Sequence, residues 1–223
     1  KIVQQGGSVK VAHQRIVVEK ANEATVFYAV DTEYAPVYPL YKGENPQQNT
    51  GKVITKAITK GYETVKNTHI SDYQTLYNRV RFTLTGDTAS EQLPTNMRVK
   101  QLQKGFTDDA SLKVLGFNLS RYLLISASRP GTLPSTLQGV WNTFEKAPWN
   151  GNFQSNINLQ EMYWGCGPTH LPECEEAYLE WIEGLVEPGR QTAREYYGTK
   201  GWVSHSTGNI WGHTVPGDDI LWG

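Results

Sequence analysis

The hydrophobic pattern of this chain changes near residue 40, and this change most constrains its fold. Residues 1–40 contain runs rich in β-branched and aromatic side chains, at 16–18 and 24–30, which are typical of strands. Residues 41–51 have the composition of a loop. From Ile58 onward, apolar residues recur at intervals of three and four, which predicts helices. We therefore expect a mostly α-helical chain with β-structure at its start.

The first helical stripe extends from Ile58 to Val80. It predicts either one long helix or two helices broken near Asn67 or Ser71. His69 lies on the stripe, and we interpret it as a core or seam histidine rather than a catalytic one.

The next helix has well-marked ends. Thr107, Asp108 and Asp109 supply capping side chains and negative charge that favour a helix start. Pro130 prevents the helix from continuing beyond Ser128 and Arg129. Its apolar face is predicted to consist of Leu112, Leu115, Leu119, Tyr122 and Leu123.

A further helix is predicted over about 172–186, with Pro172 in its first turn. Its buried face is predicted to consist of Cys174, Tyr178, Trp181 and Leu185. The Pro188-Gly189 pair would stop it before a short helix at about 189–197. Cys166 and Cys174 are the only cysteines, and we interpret both as buried thiols because no ligand-spaced cysteine or histidine accompanies them.

Composition excludes several classes of partner. Lys and Arg number 21 against 22 Asp and Glu, so the net charge of −1 lacks the basic footprint of a nucleic-acid binder. No run approaches the roughly 20 apolar residues of a membrane span. The sequence implies neither a metal nor a cofactor.

Tryptophan and amide side chains are concentrated in one part of the chain. All seven tryptophans lie between Trp141 and Trp222, and segment 129–164 holds three of them with five Asn and three Gln. Indole faces stack on the C–H surfaces of sugars, and amides match the donors and acceptors of hydroxyl groups. The composition is typical of a carbohydrate site; the alternative is that the indoles pack loops on helices and the amides cap turns.

The motifs in this segment resemble glycoside hydrolase family 95, the α-L-fucosidase family, which includes some α-L-galactosidases. The matching motifs are RPGTLP at 129–134, LQGVWN at 137–142, PWN at 148–150, NINLQ at 156–160 and YW at 163–164. The resemblance extends over about residues 62–216. It implies an N-terminal β-sandwich, a helical linker and an (α/α)6 catalytic barrel. Residues 1–40 would end the sandwich, 41–93 would form the linker, and 94–223 would begin the barrel.

The resemblance also implies an inverting mechanism in which the asparagines of the Asn-Ile-Asn motif hold the attacking water. By position these are Asn156 and Asn158. Side chains two residues apart share a face only in extended chain, so we expect an extended or turn conformation there. The alternative is that both asparagines cap a helix at about 159–165. The family's general acid and supporting Asp would lie beyond Gly223, so we expect this chain to need the rest of a longer protein for folding and activity.

Residues expected to bind the sugar follow from the same match. They are Gln154, Trp149, Trp211, Trp141, Trp164 and His205. Gln154 stands where fucosidases often carry His, and a neutral amide leaves open whether L-fucose or L-galactose is preferred. Asn209 replaces the family's usual Asp, and Glu161 is interpreted as a supporting or solvent-facing group rather than the acid.

The predicted function is therefore inverting exo-hydrolysis of terminal α-L-fucose or α-L-galactose from glycans. One alternative is a catalytically degenerate carbohydrate-binding relative without the acid. A weaker alternative is another inverting (α/α)6 enzyme, such as a phosphorylase. Because the expected substrate is a glycan, we expect a location in the bacterial periplasm or outside the cell.

Overall fold

The computed structural model describes residues 1–86, 89–105 and 108–217. The chain divides into two compact units, the first ending at Asp72 and the second beginning at Tyr73. Helix is the predominant regular structure among the described residues, with a few small sheets, as the sequence predicts. None of the helices in these ranges combines the length and apolar composition needed to cross a bilayer.

The first unit begins with two antiparallel strand pairs. Strands β1 (Ile2–Gln5) and β4 (Glu23–Val26) pair with each other, as do β2 (Ser8–Ala12) and β3 (Arg15–Glu19). Gly7 has φ +62° and lies so close to the backbone that a Cβ there would meet the Glu19 carbonyl oxygen at 2.1 Å. Only glycine is compatible with this positive φ and this close approach of two backbone segments. The strand predicted over 24–30 ends earlier, at Val26.

Helices α1 (Pro46–Lys60) and α2 (Tyr62–Tyr77) follow. The Asn45 side chain accepts a hydrogen bond from the Gln48 N–H at 3.1 Å, so α1 begins inside the predicted loop, and that prediction is wrong for 46–51. The two helices are separated by Gly61 at φ +78°, not by Asn67 or Ser71. His69 is exposed on α2, so the core part of its interpretation as a core or seam histidine is wrong.

The second unit contains the rest of α2 from Tyr73 and most of the remaining elements. The described elements are a 3₁₀ turn (Ala89–Gln92), α3 (Thr95–Gln103), α4 (Ala110–Ala127), β5 (Phe153–Gln154), α5 (Asn158–Tyr163), α6 (Pro172–Gly184), α7 (Val186–Tyr197) and β6 (Thr207–Gly208). Strands β5 and β6 pair antiparallel, with Phe153 opposite Gly208 and Gln154 opposite Thr207.

Helix α4 begins and ends as predicted. The Asp109 carboxylate accepts the Leu112 N–H at 2.9 Å, and the helix ends before Ser128. Thr107, another of the three proposed capping residues, lies outside the described residues. On the predicted apolar face, Leu115, Leu119, Tyr122 and Leu123 are exposed, whereas Ala110, Arg121 and Ile125 of the same helix are buried. Helical periodicity locates a stripe, but the neighbouring elements decide which stripe is covered.

The core of the second unit lies between α5, α6 and their flanking loops. Its fully buried members include Leu159, Leu171 and both cysteines, which are free thiols as predicted. Burial raises the pKa of the Cys166 thiol to about 12, so this thiol is unreactive.

The boundary between α6 and α7 differs from the predicted one. Pro172 begins α6, and the predicted face including Cys174 and Trp181 is buried. The break to α7 lies at Leu185, and Pro188 and Gly189 belong to the first turn of α7 rather than stopping α6. Proline is compatible with a first helical turn because the N–H it lacks has no partner there.

Candidate active site

A cavity of about 580 Å³ opens beside the β5–β6 pair. None of its lining residues carries a charged side chain. They are Trp149, Asn150, Asn152, Gln154, Asn156, Asn158, Ser206 and Thr207. Five of these eight residues are carboxamides, and they occupy every second position from 150 to 158.

The alternation follows from extended backbone in the middle of this run. Successive side chains of a strand point to opposite faces, so residues two apart share one face. Phe153, between Asn152 and Gln154, points the other way and is 2% exposed. The strand thus places its apolar side chain in the core and its amides in the cavity.

The strand pair is anchored on α6 by aromatic packing. The Phe153 ring meets the Trp181 ring edge-on, with centroids 4.9 Å apart. Gly208, opposite Phe153, lies so close to the indole that a Cβ there would be 2.5 Å from a Trp181 ring carbon. The indole N–H donates to the Asn209 carbonyl at 3.4 Å. These contacts set the position of β6, and with it Ser206 and Thr207.

The turn at 155–157 connects β5 to α5 and is held on both sides. The Ser155 N–H donates to the Ser206 carbonyl at 2.7 Å, which extends the β5–β6 ladder by one bond. The Gln160 Nε2 donates to the Ser155 carbonyl at 2.5 Å. The Gln160 Oε1 is buried and has no hydrogen-bond partner among the described residues. Gln160 therefore closes the turn from the first part of α5.

Asn156 and Asn158 occupy different backbone environments. Asn156 lies in the turn, and its Oδ1 accepts the Ile157 N–H at 3.2 Å. Asn158 is the first residue of α5, and its side chain makes no hydrogen bond to another described residue. The expected extended or turn conformation is therefore correct for Asn156 and wrong for Asn158. Neither side chain caps α5, so the capping alternative is wrong as well.

Helix α5 is fixed by a chain of buried hydrogen bonds through Tyr163. The Ser135 N–H donates to the Tyr163 hydroxyl at 2.9 Å, and that hydroxyl lies 2.8 Å from the Ser128 Oγ. Because Ser128 donates its own proton to the Cys174 carbonyl at 2.7 Å, Tyr163 must be the donor to Ser128. Burial raises the pKa of Tyr163, which keeps this donor protonated.

Trp149 lies at the edge of the cavity on unusual backbone. Trp149 and Asn150 both have φ +55°, and Gly151 has φ +66°. A left-handed conformation costs a non-glycine residue about 1–3 kcal/mol, and such strain concentrates at functional sites. The indole is 68% exposed. Its face is thus open to a ligand.

The remaining residues expected to bind sugar are not among the residues that line this cavity. Trp141 lines a separate, largely apolar cavity of about 310 Å³ with Leu123 and Met162. Trp164 and Trp211 are exposed but do not line the amide-rich cavity, and neither does His205. The structure thus places Trp149, Gln154, Asn156 and Asn158 on one cavity, and the other four residues are not among its lining residues.

His205 and Asn209 instead bond within the protein. The His205 Nδ1 donates to the Thr214 carbonyl at 2.7 Å, and its Nε2 lies 2.7 Å from the Tyr197 hydroxyl. The Asn209 Oδ1 accepts the Trp211 N–H at 2.8 Å and the His213 N–H at 3.3 Å. An amide at position 209 thereby shapes the loop that carries Trp211.

Four lining residues were not singled out from the sequence. Asn150 and Asn152 carry a detectable signal, the strict alternation of amides from 150 to 158. Ser206 and Thr207 carry none, because they reach the cavity only through strand pairing with residues about 50 positions earlier. No group of metal-ligating side chains occurs among the described residues.

Comparison with known families decides the assignment. The model of the "Glycosyl hydrolase family 95 catalytic domain" matches residues 61–223. The chain belongs to glycosyl hydrolase family 95. The resemblance found in the tryptophan- and asparagine-rich motifs is thereby confirmed.

Curated relatives of this family 95 chain include plant and fungal proteins. It is 36% identical to Alpha-L-fucosidase 2 of Arabidopsis thaliana, over 96% of this chain and 26% of that protein. It is 35% identical to Probable alpha-fucosidase A of Aspergillus niger, over 92% of this chain and 27% of that protein. The Probable alpha-fucosidase A of Aspergillus oryzae is 37% identical over 78% of this chain and 24% of its own. The chain thus spans about a quarter of the length of the curated relatives it matches.

Proposed function

We propose that the protein containing this chain is an inverting exo-glycoside hydrolase that releases terminal α-L-fucose, or the related α-L-galactose, from glycans. The observation that carries the proposal is the cavity lined by five carboxamides, two hydroxyl side chains and one indole, all uncharged. Carboxamides pair with sugar hydroxyls as both donors and acceptors, and an uncharged lining suits a neutral sugar. Membership of family 95 and the names of the relatives support the same substrate class.

Asn156 and Asn158 are proposed to hold the attacking water. An amide has no useful basicity, but its oxygen accepts a hydrogen bond from water and orients it. The unengaged Asn158 side chain is available for this role, and the Asn156 side chain lies on the same cavity. A carboxylate that bonds to the amide N–H groups would strengthen these acceptors.

Inversion requires an acid on the opposite side of the sugar from the water, at a separation of roughly 6.5–9.5 Å between the two catalytic groups. No carboxylate lines the cavity among the described residues. The proposed acid is the glutamate that the family resemblance places beyond Gly223, with a supporting aspartate further on. The amide-lined cavity is then one wall of the complete active site.

The proposed domain order is the end of a β-sandwich at 1–40, a helical linker at 41–93 and the first part of an (α/α)6 barrel from 94. Its support is the change from paired strands within residues 2–26 to helices from Pro46 onward. The rest of the barrel would come from the remainder of the protein.

A second candidate function is carbohydrate binding without hydrolysis. The lack of a carboxylate among the lining residues favours it. The two functions predict the same ligand but differ in turnover.

The experiment is an assay of the full-length protein with aryl α-L-fucoside and aryl α-L-galactoside, with NMR detection of the first anomer released. The proposal predicts hydrolysis of at least one substrate with release of the β-anomer. Release of the α-anomer would contradict inversion. A folded protein that binds L-fucose and hydrolyses neither substrate would establish the binding-only alternative.

A further inference from the structure

The β5–β6 ladder contributes the cross-strand pair Gln154 and Thr207 to the cavity. These two residues lie directly opposite each other, and both line the cavity. Opposite side chains on one face of an antiparallel pair have Cβ atoms about 4.5–5.5 Å apart. The next pair, Phe153 and Gly208, belongs to the other face, where Phe153 packs on Trp181. A small group of a ligand at this part of the cavity can therefore contact Gln154 and Thr207 together.

The backbone on both sides of Thr207 is anchored. The Ser206 carbonyl accepts a hydrogen bond from the Ser155 N–H at 2.7 Å. Gly208 packs directly on the Trp181 indole, since a Cβ there would lie 2.5 Å from a ring carbon. Threonine is branched at Cβ, which restricts its χ1. The Cγ2 methyl and the Oγ1 hydroxyl of Thr207 are therefore held in nearly fixed positions before a ligand binds.

Thr207 differs in chemistry from its neighbours in the cavity. Of the other described lining residues, five end in carboxamides, Ser206 ends in a hydroxyl and Trp149 ends in an indole. The indole is 68% exposed at the edge of the cavity. Among the lining residues that the structure describes, Thr207 alone has a methyl group. An apolar group bound inside the cavity therefore finds its aliphatic contact at Thr207.

The two sugars named in the proposed function differ in one group. L-Fucose carries a methyl group on C5, whereas L-galactose carries a hydroxymethyl group there. A methyl group placed against carboxamides alone would remove their water without replacing its hydrogen bonds, which is unfavourable. Preference for L-fucose therefore requires an apolar contact for its methyl group.

We propose that Thr207 determines the sugar specificity by packing its Cγ2 methyl against the C5 methyl of L-fucose. The inference rests on the exo-hydrolase function proposed above, and it assigns L-fucose rather than L-galactose as the preferred terminal sugar. The Thr207 hydroxyl and the Gln154 amide can still form hydrogen bonds with a hydroxymethyl group. L-Galactose is therefore a poorer substrate rather than an excluded one.

The test uses aryl α-L-fucoside and aryl α-L-galactoside with the same aryl group, as substrates of the full-length protein. The measured quantity is the ratio of kcat/KM for the fucoside to kcat/KM for the galactoside, in which the amount of folded protein cancels. Thr207→Ser removes the methyl and keeps the hydroxyl, so the ratio should fall at least about fourfold, the contribution of one buried methyl group. Thr207→Val keeps a methyl at nearly the same shape, so the ratio should stay constant or rise.

Three results would overturn the proposal. One is an unchanged ratio in Thr207→Ser, or a fall of the same size in Thr207→Val, which would make the hydroxyl responsible. Another is a lower ratio in Trp149→Ala without a lower ratio in Thr207→Ser, which would assign the methyl contact to the indole. The third is a wild-type preference for the galactoside.

Two controls separate specificity from other effects. Asn158→Ala should lower both kcat/KM values and leave their ratio unchanged, because Asn158 is proposed to act on the attacking water. Asn78→Ala, an exposed residue at the end of α2, and Thr64→Ser, an exposed residue within α2, should change neither value.

If the wild-type protein hydrolyses neither glycoside, the hydrolase proposal fails, and calorimetric titration with free L-fucose and free L-galactose tests Thr207 separately. The wild-type protein should bind L-fucose more tightly, and Thr207→Ser should reduce the ratio of the two association constants at least about fourfold. Equal affinities of the wild-type protein for the two sugars, or binding of neither, would overturn the role of Thr207.

Discussion

The Gln160 side chain donates a hydrogen bond to the Ser155 carbonyl at 2.5 Å, from the first part of α5 back to the end of β5. The turn between these residues carries Asn156 and leads into Asn158. Ser155 is also bonded to β6 through the Ser206 carbonyl. Gln160 therefore holds the turn that carries Asn156 and leads into Asn158, and it is not among the residues that line the cavity.

Gln160→Glu removes this donor at nearly constant shape, because a carboxylate only accepts hydrogen bonds at neutral pH. We expect kcat for α-L-fucoside hydrolysis to fall about tenfold or more with a smaller change in KM, since the turn loosens while the sugar-binding amides remain. Steady-state kinetics of the full-length protein measure the changes in kcat and KM separately. The control is Gln74→Glu, an exposed glutamine on α2. A rise in KM at unchanged kcat would assign Gln160 to sugar binding instead.

Gly208→Ala tests the packing of β6 on α6. The new Cβ would lie 2.5 Å from a Trp181 ring carbon, so the strand or the indole must shift, at a cost of about 1–3 kcal/mol. Hydrogen exchange at the Ser155 amide, which bonds across to Ser206, should become faster. Gly184→Ala in α6, where a Cβ meets nothing within 4 Å, serves as the control. Equal exchange rates in both variants would show that the contact is relieved without moving β6.

Tyr163→Phe removes the hydroxyl that links Ser135 to Ser128. The buried Ser135 N–H loses its partner, so we expect a loss of about 1–3 kcal/mol in local stability. Tyr178 stacks on Tyr163 at 5.0 Å, so Tyr178→Phe keeps the same aromatic contact and should be nearly neutral. Hydrogen exchange of the α5 amides distinguishes the two variants, because it should be faster in Tyr163→Phe than in Tyr178→Phe. Similar exchange in both variants would contradict the role assigned to the hydroxyl.

The ion pair between Asp109 and Arg98 makes the stability of the fold depend on pH. Its buried carboxylate accepts two hydrogen bonds from the Arg98 guanidinium, at 2.7 and 2.8 Å, and this partner chiefly lowers the pKa of Asp109 from 3.8 to about 2. A lowered folded-state pKa stabilises the fold above about pH 4, and this stabilisation is lost as the pH falls toward 2.

Thermal unfolding of Asp109→Asn across this pH range measures the effect. We expect a lower Tm than wild type at pH 6 and a difference that shrinks between pH 4 and pH 2. Asp108→Asn is the control, because Asp108 pairs with Lys113 at the surface, where ion pairs contribute little. A Tm difference for Asp109→Asn that is constant with pH would exclude the ionised pair as its cause.

Local signals predicted the element ends well. The Asp109 cap, the helix end before Pro130 and Pro172 at the start of α6 are decided by side chains within a few residues. The break at Gly61 was missed because the apolar spacing runs through it without interruption, while one positive φ divides the helix. The apolar spacing locates one face of α4, but which residues of α4 are buried depends on the neighbouring elements, which periodicity does not reveal.

The candidate site likewise combines features that local sequence reveals with features that depend on long-range contacts. The amide-rich segment was identifiable from composition, and the alternation that aligns its side chains can be read from the sequence. The contributions of Ser206 and Thr207 depend on the β5–β6 register, which connects segments about 50 residues apart. Both ring nitrogens of His205 likewise form hydrogen bonds, to Tyr197 and Thr214, and no local sequence pattern predicts these two contacts.

The most direct test of the account is the turnover of α-L-fucoside by Asn158→Ala in the full-length protein. Loss of the water-orienting amide should lower kcat by about 10²–10⁴-fold with little change in the affinity for L-fucose. The matched Asn78→Ala variant should retain the wild-type rate. Wild-type kcat in Asn158→Ala would contradict the proposal that this amide-lined cavity holds the attacking water.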